Sequence, residues 1–164
     1  WTDAHNFLRP YANQYLHALV MFDHEGSGQE RRKAAELEIE LEYRLQQSGW
    51  DEDRARVVVL EPELEIWVWS DSPLVDTYLG WEAHQPDLRA WLRQQGLLAP
   101  AAFKPANPKE ALEAALREVR IPRSSAIYRQ LAERVSFRGC VDPCFNRFRT
   151  ILTGWFSYQA PDQR

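Results

Sequence analysis

Two short apolar runs with a long helical stretch between them organise the first third of the chain. Leu16, Ala18, Leu19, Val20, Met21 and Phe22 form a near-continuous apolar run, the pattern of a parallel strand covered on both faces. Gln29–Gln47 follows as the longest helical signal, with Ala35, Leu37, Ile39, Leu41 and Leu45 among good helix formers and a stop at Ser48-Gly49. Ala55–Leu60 is a second buried strand, short and β-branched. The order strand–helix–strand predicts a βαβ unit with parallel pairing. Upstream, Asp3–Gln14 reads as a short helix interrupted by Pro10. Beyond Asp71 the pattern turns helical, over Pro73–Leu79, Asp87–Gln95, Pro108–Val119, Ser124–Val135 and Pro143–Leu152. Asn107-Pro108 places a capping residue before a first-turn proline, and Ser124 or Ser125 caps the next helix. Residues 97–106 read as a loop within one domain.

Glu36, Glu38, Glu40 and Glu42 recur at spacing two, which splays them around the long helix and predicts a solvated face. The segment Glu61–Asp71 admits two readings. As a continuing strand it puts Glu61, Glu63 and Glu65 on one face and Leu64, Ile66 and Val68 on the other. As a helix starting at Pro62 it puts Glu63 and Trp67 on a shared face.

Length and charge narrow the picture. The 164 residues suffice for one domain with its own core: an α/β core over 1–70, a helical extension over 71–158 packed on it, and a frayed tail over 159–164. No apolar run reaches the about 18 residues of a membrane span, and the first residues lack the pattern of a signal peptide. Cys140 and Cys144 do not make a disulfide framework and have no matching histidine pair for zinc, so a cytoplasmic protein is expected. Residues 1–70 hold 14 acids against seven bases, whereas residues 117–149 hold eight arginines against three acids. An acidic half beside an arginine-rich one suits a polyanion substrate such as nucleic acid, and equally suits an arginine-decorated helical surface.

Candidate chemistry gathers where the strands end. Asp23 and Glu25 close the first apolar run, and Glu61, Glu63 and Glu65 follow the second. Ligands of open α/β sheets bind at the carboxyl ends of strands, and neighbouring strands lie about 5 Å apart. Converging carboxylates there are hard oxygen ligands for a divalent cation such as Mg²⁺; an acidic turn capping the next helix is the plainer alternative. The expected geometry aims Glu63 or Glu65 at Asp23, with Trp67 packed beneath. His24 sits inside the same turn, as a substrate contact or proton carrier or simply as a turn residue. Ser27 has no base placed for it, and the GSG at 26–28 is not a phosphate loop.

Taken in order, strand–D-H-E-G, long helix, strand–E-P-E-L-E-x-W and the late N-P-K-E helix resemble a Toprim-like family of uncharacterised bacterial proteins found in phage-defence gene clusters. Tyr128, the 131–137 segment LAERVSF and Cys144-Phe145-x-x-Phe148 are similar to its closing helices, so the resemblance spans roughly residues 15–155. It implies a Toprim fold in which Asp23 and Glu25 match the Mg²⁺-binding acid pair and Glu63 and Glu65 match the E-x-E-x-W element. Toprim domains also use a glutamate after an earlier strand; none is read ahead of Asp3–Gln14, so either that strand lies upstream of Trp1 or the site is incomplete. The implied function is a component of bacterial antiphage defence, as a Mg²⁺-dependent nuclease or phosphoryl-transfer module that grips nucleic acid through residues 117–149. The alternative is a non-catalytic interaction subunit of a multi-protein defence complex, suggested by the missing strand, the net negative charge and the tryptophans at 67, 69, 81 and 91.

Overall fold

The computed structural model describes residues 1–136 and 140–157. The elements run α1 (Ala4–Leu8), a 3-10 turn (Arg9–Tyr11), β1 (Ala18–Asp23), α2 (Ala34–Gln47), β2 (Ala55–Leu60), a second 3-10 turn (Leu64–Trp67), α3 (Leu74–Tyr78), α4 (Leu88–Gln94), α5 (Pro108–Glu118), α6 (Ser125–Arg134) and α7 (Pro143–Phe156). The fold is mixed α/β, with seven helices and one two-stranded parallel sheet among the described residues. The expected helices and both strands are present, with ends displaced by a few residues. The expected fraying of 159–164, like Phe137 and Arg138 of the closing segments, lies outside the described residues.

The chain divides into two compact units, Trp1–Glu61 with Val141–Arg164, and Pro62–Cys140. The last helix therefore groups with the α/β core rather than with a continuous helical half.

In the first unit β1 and β2 pair in parallel, with Ala18 opposite Ala55 and Asp23 opposite Leu60. Because side chains alternate along a strand, Ala18, Val20 and Phe22 of β1 and Ala55, Val57 and Val59 of β2 share the face that α2 covers. Leu37, Leu41 and Leu45, at helical spacing on α2, are fully buried against it. Each contributes about 1.5–3 kcal/mol of apolar burial. β1 begins at Ala18 rather than Leu16, whose side chain is exposed. Likewise α2 begins at Ala34 rather than Gln29, because the DHEGSG turn uses Gly26 and Gly28 at φ +76° and closes through an Arg32 amide to the Gln29 carbonyl.

β2 is buried along most of its length, whereas β1, expected to be covered on both faces, is only half-buried at all six residues. Ala18, Val20 and Phe22 pack against the α2 core but stay half-buried. Neither face of β1 is fully covered, and among the described residues the strand has one neighbour, β2.

The second unit is helical around a tryptophan-rich core. Trp69 and Trp81 are buried with Leu79, Leu92, Leu112 and Leu116, and the Trp69 indole N–H donates to the Pro108 carbonyl at 3.0 Å. Two of the four tryptophans in 67–91 are thus core residues rather than a partner surface. Asp87 caps α4 by accepting from the Ala90 amide.

Candidate functional site

The structure resolves the two readings of Glu61–Asp71 in favour of a third. Pro62 ends the ladder, and Leu64–Trp67 forms a single 3-10 turn. Glu63 and Glu65 point inward and Leu64 stays exposed, the reverse of what an apolar face would dictate. Each carboxylate has a partner that justifies its burial. Glu63 Oε1 accepts the Lys109 amide at 2.8 Å, in the first turn of α5, where a helix leaves its amides without internal partners. Glu65, only 4% exposed, accepts both Arg123 Nη2 at 2.7 Å and the Tyr128 hydroxyl at 2.8 Å. Arg123 also pairs with Glu113 at 2.8 Å. Burial, reinforced by the hydrogen bond to Glu65, pushes the Tyr128 phenol up to about 12, so it donates at every physiological pH.

Asp23 and Glu25 belong to the first unit. Asp23 closes β1 at its carboxyl end, and Glu25 is exposed in the turn beyond. His24 between them is buried: its amide donates to the Leu60 carbonyl at 2.8 Å, and Nε2 lies 2.9 Å from the Arg32 carbonyl. A carbonyl only accepts, so the bond requires the ring proton on Nε2. Nδ1 then faces Glu61 Oε1 at 4.0 Å. His24 is a structural pin for the turn, buried and bonded through both its amide and its ring.

The four carboxylates named from the sequence therefore fall into two pairs in different units: Asp23 and Glu25 in one, Glu63 and Glu65 in the other. Glu63 and Glu65 each accept hydrogen bonds inside their own unit, in every case above through Oε1. Among the described residues no group of three or more His, Cys, Asp or Glu side chains is placed to hold a metal ion.

A constellation that the sequence reading missed lies in the first unit. The solvated face expected for the α2 glutamates holds for Glu36 but fails for Glu38 and Glu42, which sit one turn apart facing β2. Glu42 Oε1 accepts the Val57 amide at 3.0 Å, and Glu38 Oε1 accepts the Val59 amide at 3.0 Å. Arg147 of α7 completes the arrangement. Its Nε donates to the Val57 carbonyl at 3.0 Å and lies 3.1 Å from Glu38 Oε2, and its Nη2 reaches Glu42 Oε1 at 2.7 Å. Three side chains thus satisfy the backbone of the outer edge of β2, where another strand would otherwise pair. Burial raises the Glu38 carboxyl above the usual glutamate range, although the Val59 amide and Arg147 both oppose that rise.

Beside this network is a cavity of about 190 Å³ lined by Glu38, Val59, Glu61, Asp142, Cys144 and Arg147. It lies where strands and helices place ligands in α/β folds, at the carboxyl end of β2 and the amino ends of α2 and α7. Its groups are largely committed, however. Asp142 caps α7 through the Phe145 amide at 3.1 Å and accepts the Cys144 thiol at 2.8 Å. Glu61 is the cavity's exposed carboxylate. Two arginines of the 117–149 segment, Arg123 and Arg147, are likewise held by internal carboxylates, and Arg138 lies outside the described residues.

Comparison with models of known protein families, with curated proteins and with solved structures gives no match.

Proposed function

We propose that this chain is a Toprim-like component of a bacterial antiphage defence system, acting there as a non-catalytic interaction subunit of a multi-protein complex. The observation that carries this reading is the use of Glu63 and Glu65 to tie the 3-10 turn to the α5 amide, Arg123 and Tyr128 inside the second unit, separate from the unit of Asp23 and Glu25. The parallel β1–β2 pair joined through α2 supports the Toprim-like part of the reading. The defence role rests on the sequence resemblance.

A Mg²⁺-dependent nuclease or phosphoryl-transfer module is the second reading. It is favoured by Asp23 at the carboxyl end of β1 with Glu25 exposed just beyond it. Calorimetric titration with MgCl₂ and MnCl₂, run beside cleavage assays on labelled DNA and RNA, separates the two. The interaction reading expects no cleavage and no binding heat that Asp23→Asn abolishes, together with co-purification of neighbouring gene products. Metal-dependent cleavage lost in Asp23→Asn overturns it.

A further inference from the structure

The two edges of the small sheet are treated in opposite ways. In a parallel ladder each residue directs its amide and carbonyl to the same side, and alternate residues serve alternate sides. The Ala18 amide donates to Arg54 and the His24 amide to Leu60, so the even-numbered residues of β1 face β2. Leu19 and Met21 therefore direct their backbone groups to the outer edge of β1. Among the described residues those groups have no hydrogen-bond partner. The equivalent groups of β2, at Val57 and Val59, are covered by Glu42, Glu38 and Arg147. Proteins cover the strand edges they must protect, and an edge left open beside an aromatic groove is a template for pairing.

The surroundings of β1 give that template a polarity. At its amino end Phe7, Tyr11, Tyr15, Leu19 and Trp50 line an open groove of about 300 Å³, with Phe7 and Tyr15 largely exposed. Just beyond its carboxyl end stands the exposed Glu25. We infer that the outer edge of β1 accepts an extended segment of a partner protein, with an apolar or aromatic residue seated in the groove and Lys or Arg beside Glu25. A second copy of the chain fits less well. Antiparallel pairing of β1 with itself sets each acidic end against the other's aromatic groove and matches no charge.

The inference rests on the interaction-subunit reading and names its docking surface. The probe is a labelled heptapeptide, Trp-Val-Thr-Val-Thr-Lys-Lys, and its control carries Glu in place of both Lys. Binding to the whole chain is followed by anisotropy, and backbone protection by hydrogen exchange. In the free protein the Leu19 and Met21 amides exchange faster than those of Val20 and Phe22. The basic peptide slows Leu19 and Met21 and leaves Val57 and Val59 unchanged. The acidic peptide, or the basic one on Glu25→Lys, binds up to about tenfold more weakly at low salt, because an exposed attraction at Glu25 becomes a repulsion. Three results overturn the inference: Leu19 and Met21 already protected in the free monomer, no protection of them at up to about 1 mM peptide, which corresponds to negligible affinity, or equal binding of both peptides. A concentration-dependent dimer that protects the same amides is a fourth such result, and assigns the edge to a second copy instead. None of these results restores nucleic-acid cleavage, so the docking surface and the interaction reading fail on separate measurements.

Discussion

The two units bury glutamates for different purposes. In the first, Glu38 and Glu42 accept backbone amides of β2 and share the base Arg147, with Arg56 reaching Glu42 at 3.6 Å. In the second, Glu65 gathers Arg123 and Tyr128, while Glu63 takes the first-turn amide of α5. The first arrangement closes a sheet edge, and the second ties a 3-10 turn to two helices. The difference shows what a buried carboxylate can substitute for. Beside a two-stranded sheet it replaces a missing strand, and within a helical bundle it replaces a missing helix cap or apolar contact. In both units it consumes acids that a sequence reading would assign to chemistry.

The sharpest way to break the comparison is to remove the shared base. Arg147→Ala leaves Glu38 with the Val59 amide and Glu42 with the Val57 amide and a longer contact to Arg56 at 3.6 Å, removes the base between them, and leaves the Val57 carbonyl without its donor. Losing one partner of a fully buried ion pair costs about 3–5 kcal/mol. Arg147 is 36% exposed, so water offsets part of this, and about 2–3 kcal/mol is expected in urea unfolding. Hydrogen exchange should quicken at Val57 and Val59, and Arg147→Lys should recover part of the loss, since a single ammonium cannot serve both carboxylates and the carbonyl. Unchanged exchange at those two amides would show that the edge does not depend on this network.

A smaller effect is expected in the second unit. Glu65→Gln keeps the shape and an acceptor but discards the charge facing Arg123, at about 1–2 kcal/mol. Its distinctive readout is Tyr128, held at about 12 against an ordinary 10.0. Ultraviolet titration should find the phenol lowered in Glu65→Gln but still above its ordinary value, because burial is the larger cause and persists. A phenol that stays at about 12 would remove Glu65 from the account.

The smallest effect sharpens the role of Glu38. Its carboxyl binds a proton more tightly in the folded than in the unfolded protein, since burial holds it above the ordinary 4.5. The stability it contributes is therefore fully present below pH 4.5 and is lost as pH rises through the raised folded value. Relative to Glu38→Gln, the native protein should weaken as pH rises from that point toward neutrality. A difference in urea midpoints that is flat across this range, or of opposite sign, contradicts the assignment.

Much of the fold was legible in the residue pattern. The apolar runs around Val20 and Val58, the glycine stop after Gln47, the Asn107-Pro108 start and the serines at 124–125 each mark an element by local sterics and periodicity. The parallel pairing of β1 and β2 followed from the strand–helix–strand order. The candidate site was legible only as a set of acids near strand ends. Glu38 and Glu42 read as solvated because spacing two along a helix gives no face, yet their spacing of four within the set aligned them on β2.

What the sequence determined by itself is where the backbone curls, extends and turns, since those choices are settled within a few residues by φ/ψ preferences and burial period. Tertiary structure alone decided what each carboxylate does. Glu42 meets Arg147 across 105 positions, Glu65 meets Tyr128 across 63, and Glu63 meets Lys109 across 46. The side chains are the same acids whether they bind a cation, cap an edge or lie in water. The partner brought within hydrogen-bond distance selects among these, and no local pattern encodes a partner so far along the chain.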